Sequence, residues 1–440
     1  MCFKRFLLLW AAIIVSLAYA QINWDGYLLI DNRVRTSNLS YSFNELRWAL
    51  NAQCQPVQEL KFVSGIWIRS LGTKEFNTSR DLFENIKVAP LELNLKEAYF
   101  ILSGFPIKNI DWSMGKQRIS WGVATRFSPT DNINPIDLED PWDFNRRLSV
   151  TSFKASYYHR YFSLTGVYVP LFTPAVLPKN TLFFSLSNLP LNFNYRKITD
   201  TLLLENKLKE TQSIGVRIKS KVLNYDFSFS YLMGRYEIPY PKRIIFIPTQ
   251  NPNELDLKTE LYFPKRHIIG IDWMGTIKDL GVWAEVAMYL PEKAVLTYDL
   301  TLLGMGTADS IILDNTQYFR YVLGFDYTFT NNIYCNLEYF HGFVFEHGKD
   351  NLCDYLAFTL EYKFCDEKLK LYPINGIMEI YNQHSFLDNY GLVFMPEIGY
   401  YPLNDLEVIL GLRFIEAKPN TRFEQFKDCD EVYLKVKYCF

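Results

Sequence analysis

The chain has 440 residues, with 48 Asp and Glu against 46 Lys and Arg, so it lacks the basic excess that nucleic-acid binding requires. Aromatic side chains make up 17% of it, a content that aromatic belts at a membrane interface explain. Beyond the N-terminal segment no run approaches the ~18 uninterrupted apolar residues of a helical span, which excludes a helical membrane protein.

Met1-Cys2-Phe3-Lys4-Arg5 places two basic residues ahead of the apolar run Phe6 to Ala20, and Ala18-Tyr19-Ala20 is a small-x-small cleavage site. Residues 1–20 read as a secretory signal peptide, with Gln21 opening the mature chain. Its removal leaves 44 basic against 48 acidic residues. No linker divides 21–440, which reads as one domain. Cys54, Cys335, Cys353, Cys365, Cys429 and Cys439 have spacings that fit no metal motif. Neither metal nor cofactor is expected, and the export setting leaves disulfide pairing open.

The dominant pattern is a period of two. Asn23 to Asn32 is the first predicted strand. In Glu45 to Gln53, Leu46, Trp48, Leu50 and Ala52 face one way and Glu45, Arg47, Asn51 and Gln53 the other. Leu60 to Ser70 follows, then a polar loop, Leu71 to Pro90. Leu93 to Ser103 and Asn109 to Ser120 are strands about a Gly104-Phe105-Pro106 turn. A long loop, Trp121 to Arg147, precedes the hairpin Leu148 to Tyr158 and Phe162 to Val169. The longest irregular stretch is Pro170 to Glu210. Strands resume at Ser213 to Lys219 and Tyr225 to Met233. Loop Tyr236 to Lys265, strands His267 to Trp273 and Gly281 to Tyr289, and loop Pro291 to Asn315 follow. Phe319 to Thr330 alternates most clearly. The remaining strands are Ile333 to Phe340, Asp354 to Phe364, Leu369 to Ile380, Gly391 to Tyr400, Leu406 to Ile415 and Glu431 to Phe440.

These make an all-β, transmembrane, antiparallel up-and-down barrel of 18 strands, or 16 if boundaries merge. Short and long links alternate, as periplasmic turns and extracellular loops do in outer-membrane barrels. A soluble sandwich would bury Arg217, Lys219, Arg320 and Asp326 in a dry core at several kcal/mol each unless paired. A barrel turns them towards water or towards each other. Pore-lining candidates are Glu45, Arg47, Arg69, Arg217, Lys219, Asp272, Glu285, Arg320, Asp326, Glu338 and Arg413, with Glu407, Lys435 and Lys437 beside them. Most are expected to pair across neighbouring strands.

The densest non-repetitive signal is Met114-Gly115-Lys116-Gln117-Arg118-Ile119-Ser120-Trp121-Gly122, followed by Asp131, Asn134 and Pro135 in Asp131-Asn132-Ile133-Asn134-Pro135-Ile136-Asp137. With Glu97-Ala98-Tyr99 and Trp283-Ala284-Glu285-Val286-Ala287, it resembles the DUF1302 group and the related alginate-export-like porins of Gram-negative bacteria. The resemblance implies an outer-membrane barrel that exports or takes up some solute, and it carries no substrate. On the residues alone, the loop from Trp121 either dips into the pore as an acidic or ion-paired constriction or only closes the barrel top. The apolar stretch Pro170 to Pro190 reads as a lumenal plug or a surface lid.

Val432, Leu434, Val436, Tyr438 and Phe440 put the apolar face of the last strand on alternate positions. Leu434, Val436, Tyr438 and Phe440 form an assembly signal of the kind barrel-insertion machinery reads. The strand is expected to pair with Trp24 to Ile30 and so remove both sheet edges. The implied partners are outer-membrane lipids, the insertion machinery and a small or oligomeric solute. The expected function is an outer-membrane channel for hydrophilic or amphipathic solutes. A non-conducting anchor is the alternative. A lipid hydrolase built on His384-Ser385 fits less well, and no enzyme activity is expected.

Overall fold

The computed structural model describes residues 21–72, 79–83, 85–178, 194–204, 207–251, 253–380 and 389–440. The signal segment, the later part of Pro170 to Pro190, and His384-Ser385 lie outside them. In chain order the strands are β1 Ile22–Arg35, β2 Tyr41–Val57, β3 Leu60–Leu71, β4 Glu92–Ser103, β5 Ile110–Gln117, β6 Val150–Tyr158, β7 Phe162–Val169 and β8 Asn194–Leu202. Next come β9 Ser213–Val222, β10 Tyr225–Arg235, β11 Tyr240–Pro248, β12 Glu254–Tyr262, β13 Lys265–Ile277, β14 Leu280–Pro291, β15 Ala294–Asp299 and β16 Thr307–Leu313. The last are β17 Tyr318–Thr328, β18 Ile333–His341, β19 Asp354–Phe364, β20 Leu369–Ile380, β21 Tyr390–Phe394, β22 Glu397–Leu403, β23 Leu406–Ala417 and β24 Glu431–Cys439.

All of these except β8, β11, β12, β15 and β16 join one antiparallel sheet that closes on itself through β1 and β24. Strands β21 and β22 both lie between β20 and β23. They are two halves of one pass, parted at Met395-Pro396, where proline has no N–H for the ladder. The barrel therefore has 18 passes. At the seam Leu28 sits opposite Tyr438 and Ile30 opposite Val436. Gly26 and Phe440 donate to each other's carbonyls, both at 3.0 Å. The Phe440 ring covers Gly26, where a Cβ would stand 2.8 Å from the ring and 2.3 Å from the Ala49 carbonyl.

Alternation sorts the two faces. Leu28, Ile30, Leu46, Trp48, Val216, Ile218, Phe227, Phe229, Phe319, Leu323, Leu410, Leu412, Leu434 and Tyr438 are exposed on the outer wall. So large an apolar surface is untenable in water and suits lipid. Among the described residues no helix is long and apolar enough to cross a membrane, so the crossing elements are the strands. Tyr157, Tyr158, Tyr161, Phe162, Phe329, Tyr362 and Phe440 are exposed near the ends of strands joined by the tight links 159–161, 329–332 and 365–368. They form an aromatic girdle at that end. The opposite end carries the links 72–91, 118–149, 170–212, 236–264, 292–317, 342–353 and 418–430.

Three of those links are not loops as expected. Strands β8, β11, β12, β15 and β16 form a second sheet outside the barrel, in the order β16-β15-β11-β12-β8. The pairs β11–β15 and β12–β8 are parallel, so they join different links. Leu255, Leu257, Ile244, Phe246 and Leu296 give this sheet its own buried cluster. Period-two alternation in β12 drives that burial: Leu255, Leu257, Thr259 and Leu261 are buried and the residues between them are not.

Candidate functional site

The lumen is defined by the 118–149 segment, which leaves the wall at the end of β5. Gly115 has φ +130°, and a Cβ there would lie 2.3 Å from the Ala98 carbonyl, so only glycine fits. Gln117 is buried; Ser113 Oγ donates to its Oε1 at 2.6 Å, and its Nε2 donates to the Ser152 carbonyl at 3.2 Å. The ladder ends there, because the Arg118 amide donates to Glu97 Oε1 at 3.0 Å instead. Arg118 is held against Asp131 and donates to Asn134 Oδ1 at 3.1 Å. Asn134 Oδ1 also accepts from the Ile119 amide at 2.8 Å, and its Nδ2 donates to the Leu148 carbonyl at 2.7 Å. These bonds tie the two ends of the segment together. The Pro135 carbonyl accepts the Leu148 amide at 2.8 Å.

From this neck the segment crosses to the far wall. Trp121 is buried against Gly215. Gly122 has φ +85°, and a Cβ there would stand 2.7 Å from Glu285 Oε1. Glu285, on β14, is fully buried and gathers the crossing chain. Its Oε1 accepts from the Val123 and Ala124 amides at 2.5 and 2.6 Å. Its Oε2 accepts from Ser128 Oγ at 2.7 Å and Thr130 Oγ1 at 2.8 Å. Glu338, on β18, takes the next two amides, Thr125 at 2.7 Å and Arg126 at 3.1 Å, and also Trp283 Nε1 at 2.8 Å. Arg126 then reaches Asn375 Oδ1 on β20 at 2.7 Å.

The return limb pairs with the near wall. Glu139 lies 2.6 Å from Arg69 and 2.5 Å from Arg146, and Asp137 lies 2.7 Å from Arg146. Asp140 faces Arg33, which also holds Asp31 at 2.8 Å. Burial pushes both loop carboxyls up, but Arg69 and Arg146 pull Glu139, and Arg33 pulls Asp140, to below the usual carboxylate range. The segment is thus ion-paired rather than openly acidic. Phe127, Ile136, Leu138 and Phe144 pack with Phe340, Phe343 and Tyr355 of the wall and of link 342–353. The long-loop half of the lumen is therefore a dry core, not the wet bore expected from alternation alone.

The expected lumenal charges face inward, and several pair across neighbouring strands as anticipated while others take different partners. Glu45 pairs with Arg47 two residues along its own strand at 2.5 Å and lies 3.6 Å from Arg69 on the next strand. Arg69 meets Glu92, opposite it on β4, at 2.8 Å and also bridges to the segment. Glu285 and Glu338 serve backbone amides and line no open bore. Arg217 and Asp272 do pair across strands at 3.0 Å, and Arg413 meets Glu431. Arg320 meets neither water nor a carboxylate; it is buried, and its Nη2 donates to the Glu346 carbonyl. Asp326 accepts from Tyr334 Oη at 3.2 Å.

Towards the short-turn end the inner wall is polar and part-exposed. Lys219 lies 3.5 Å from Asp226, and Tyr401 Oη donates to Glu407 at 2.7 Å. Lys435 and Lys437 lie over the rings of Tyr433 and Tyr27. Sequence reading missed Arg33, Arg126 and Glu346. Arg33 continues the alternation of Asp31, one residue past the predicted strand end. Glu346 accepts from the Phe343 and Cys353 amides and from Tyr355 Oη inside a link that has no periodicity to betray it.

No family model matches the chain, and no curated relative does. Solved structures similar to it include OmpF of Salmonella typhi in complex with daunomycin, at 9% identity and a TM-score of 0.42, over 96% of this chain and 98% of that one. Another is a loop L8 deletion mutant of OmpT, an outer membrane protein of Vibrio cholerae, at 8% identity and a TM-score of 0.41, over 96% of this chain and 99% of that one. The barrel itself rests on the strand pairing of this chain, closed between β1 and β24.

Proposed function

We propose that this protein is an outer-membrane channel for hydrophilic or amphipathic solutes, with the 118–149 segment as its constriction. The observation that carries the reading is how that segment is held. It crosses the lumen on polar bonds to Glu285, Glu338, Arg69 and Arg33, above a vestibule of part-exposed charged and tyrosine side chains. Charged constrictions of this kind are how pores select solutes. The resemblance of Gly115 to Asp137 to the DUF1302 group points the same way. The long-loop end would then face the medium and the short turns the periplasm, with β24 offered to the insertion machinery.

Planar-bilayer recording tests it. Single-channel steps are expected, and they should grow in a Glu285→Ala, Glu338→Ala double variant that frees the segment. A sealed bilayer with both proteins would overturn the channel. It would favour a second reading, an anchor that presents the outer five-stranded sheet, which the packed long-loop half of the lumen supports.

A further inference from the structure

Arg266, on β13, is 3% exposed and points inward, yet among the described residues no carboxylate pairs with it and its Nε is buried without a partner. Its guanidinium lies 4.8 Å from the Tyr236 ring and 5.8 Å from the Tyr289 ring. Arg320 lies 4.7 Å from the other side of the same cluster, over Tyr289. The tyrosine rings are neutral company: Tyr289 and Tyr318 stack at 5.0 Å, and Tyr236 and Tyr318 share a hydroxyl contact of 3.0 Å. His347 packs on Tyr236 at 4.6 Å. Burial, and then Arg320 and Arg266, hold its pKa far below the ordinary value, so it adds no charge of its own. Two guanidiniums therefore set a strongly positive potential in a dry region.

Beside Arg266 lies a cavity of about 30 Å³, whose polar wall includes Arg235, Glu237, Thr173 and Ser213. The other charges on that wall are matched. Arg235 holds Glu210 at 3.0 Å, while Glu237 accepts from the Ile136 amide at 2.9 Å and lies 3.7 Å from Arg147. Of the charges lining this cavity, Arg266 alone has no counter-charge among the described residues. A buried ion without a counter-charge is strongly destabilising. A space needs roughly 10–15 Å³ to take one water-sized particle, so this one has room for a halide.

We propose that this cavity binds one small monovalent anion of chloride size, held by Arg266 with the hydroxyls of Ser213 and Thr173. Cation–π contacts explain how the tyrosines tolerate the guanidinium; they leave its charge without a counter-ion beside an open space, and an anion accounts for both. The site does not depend on conduction.

Crystals of the full chain grown in sodium bromide test it directly. An anomalous peak is expected in the cavity within contact of Arg266; its absence, or water alone, overturns the proposal. In detergent, the unfolding midpoint should be higher in sodium chloride than in sodium gluconate at equal ionic strength, saturably with chloride. Arg266→Gln should abolish that shift, and Arg196→Gln on the exposed outer sheet should keep it. If Arg266→Gln does not fold, the wild-type comparison and the bromide map still decide, since equal midpoints with no peak refute the site. Neither readout changes if the bilayer experiment finds no channel.

Discussion

Replacing Glu285 by glutamine removes a charge and almost no volume, so its effect isolates what the carboxylate does for the crossing segment. In the wild type Oε1 accepts two amides and Oε2 accepts two hydroxyls and, at 3.3 Å, the Thr130 amide. A glutamine oxygen can keep Val123 and Ala124. Its NH₂ then faces Ser128 and Thr130, whose hydroxyls can turn to accept, while the Thr130 amide meets a donor. Hydrogen bonds to a charged acceptor contribute about 1.5–3 kcal/mol against about 0.5–1.5 for a neutral one. Bonds that share one acceptor are not additive. The expected loss is about 2–4 kcal/mol, confined to residues 123–130, which means roughly 30- to 1,000-fold faster local opening. Amide hydrogen exchange measures this residue by residue. Val123 and Ala124 should accelerate by that factor. Ile119, held by Asn134, and Ile136, held by Glu237, should change little. Unchanged exchange at Val123 and Ala124, or equal acceleration throughout the barrel, would refute the claim that this one carboxylate fixes the segment.

Three further outcomes follow from the geometry. Gly26→Val drives a side chain into the Ala49 carbonyl and the Phe440 ring, so most of the heat-modifiable folded barrel should be lost on gels, as it should with Phe440 deleted; normal assembly would contradict the seam. Asp140→Asn should destabilise by about 3 kcal/mol, the low end for removing one partner of a buried pair, because Asp31 still holds Arg33. Since the folded Asp140 carboxyl lies below its unfolded value of about 3.9, its contribution is complete above that pH and lost as pH falls through the folded value. Wild-type stability should therefore drop faster than that of Asp140→Asn below about pH 4, in denaturant titrations run at stepped pH. An epitope inserted after Gln250 should be labelled on intact cells, and one between Lys278 and Asp279 only after permeabilisation; the reverse pattern would invert the proposed orientation.

The barrel was legible because its walls obey one simple rule. Lipid on one side and side chains on the other force a period of two, and large apolar residues such as Phe319, Leu323 and Phe325 mark the lipid side plainly. Strands β7, β19 and β20 begin and end where alternation says. The outer sheet also left a signal: Glu254 to Tyr262 alternates without a break. It reads as a loop only because a meander needs a long link there, since its leucines on alternate positions look no different from those of a lipid-facing strand. The interior was harder to read. That Glu285 and Glu338 face inward follows from their strands. That they bind amides of residues 123–126 depends on where a segment without periodicity folds back. Arg118, Asp131 and Asn134 are the exception, since a turn-forming Asn-Pro close behind an arginine hints at a local clamp.

Parallel pairing of β11 with β15 and of β12 with β8 ties separate parts of the barrel rim together. The sheet draws on residues 194 to 313, which belong to three successive links at one end of the barrel. The barrel strands β9 and β10 lie between the first two links, and β13 and β14 between the last two. Each parallel pair is therefore a clasp over one barrel hairpin, so this sector of the rim can splay only if the outer sheet parts with it.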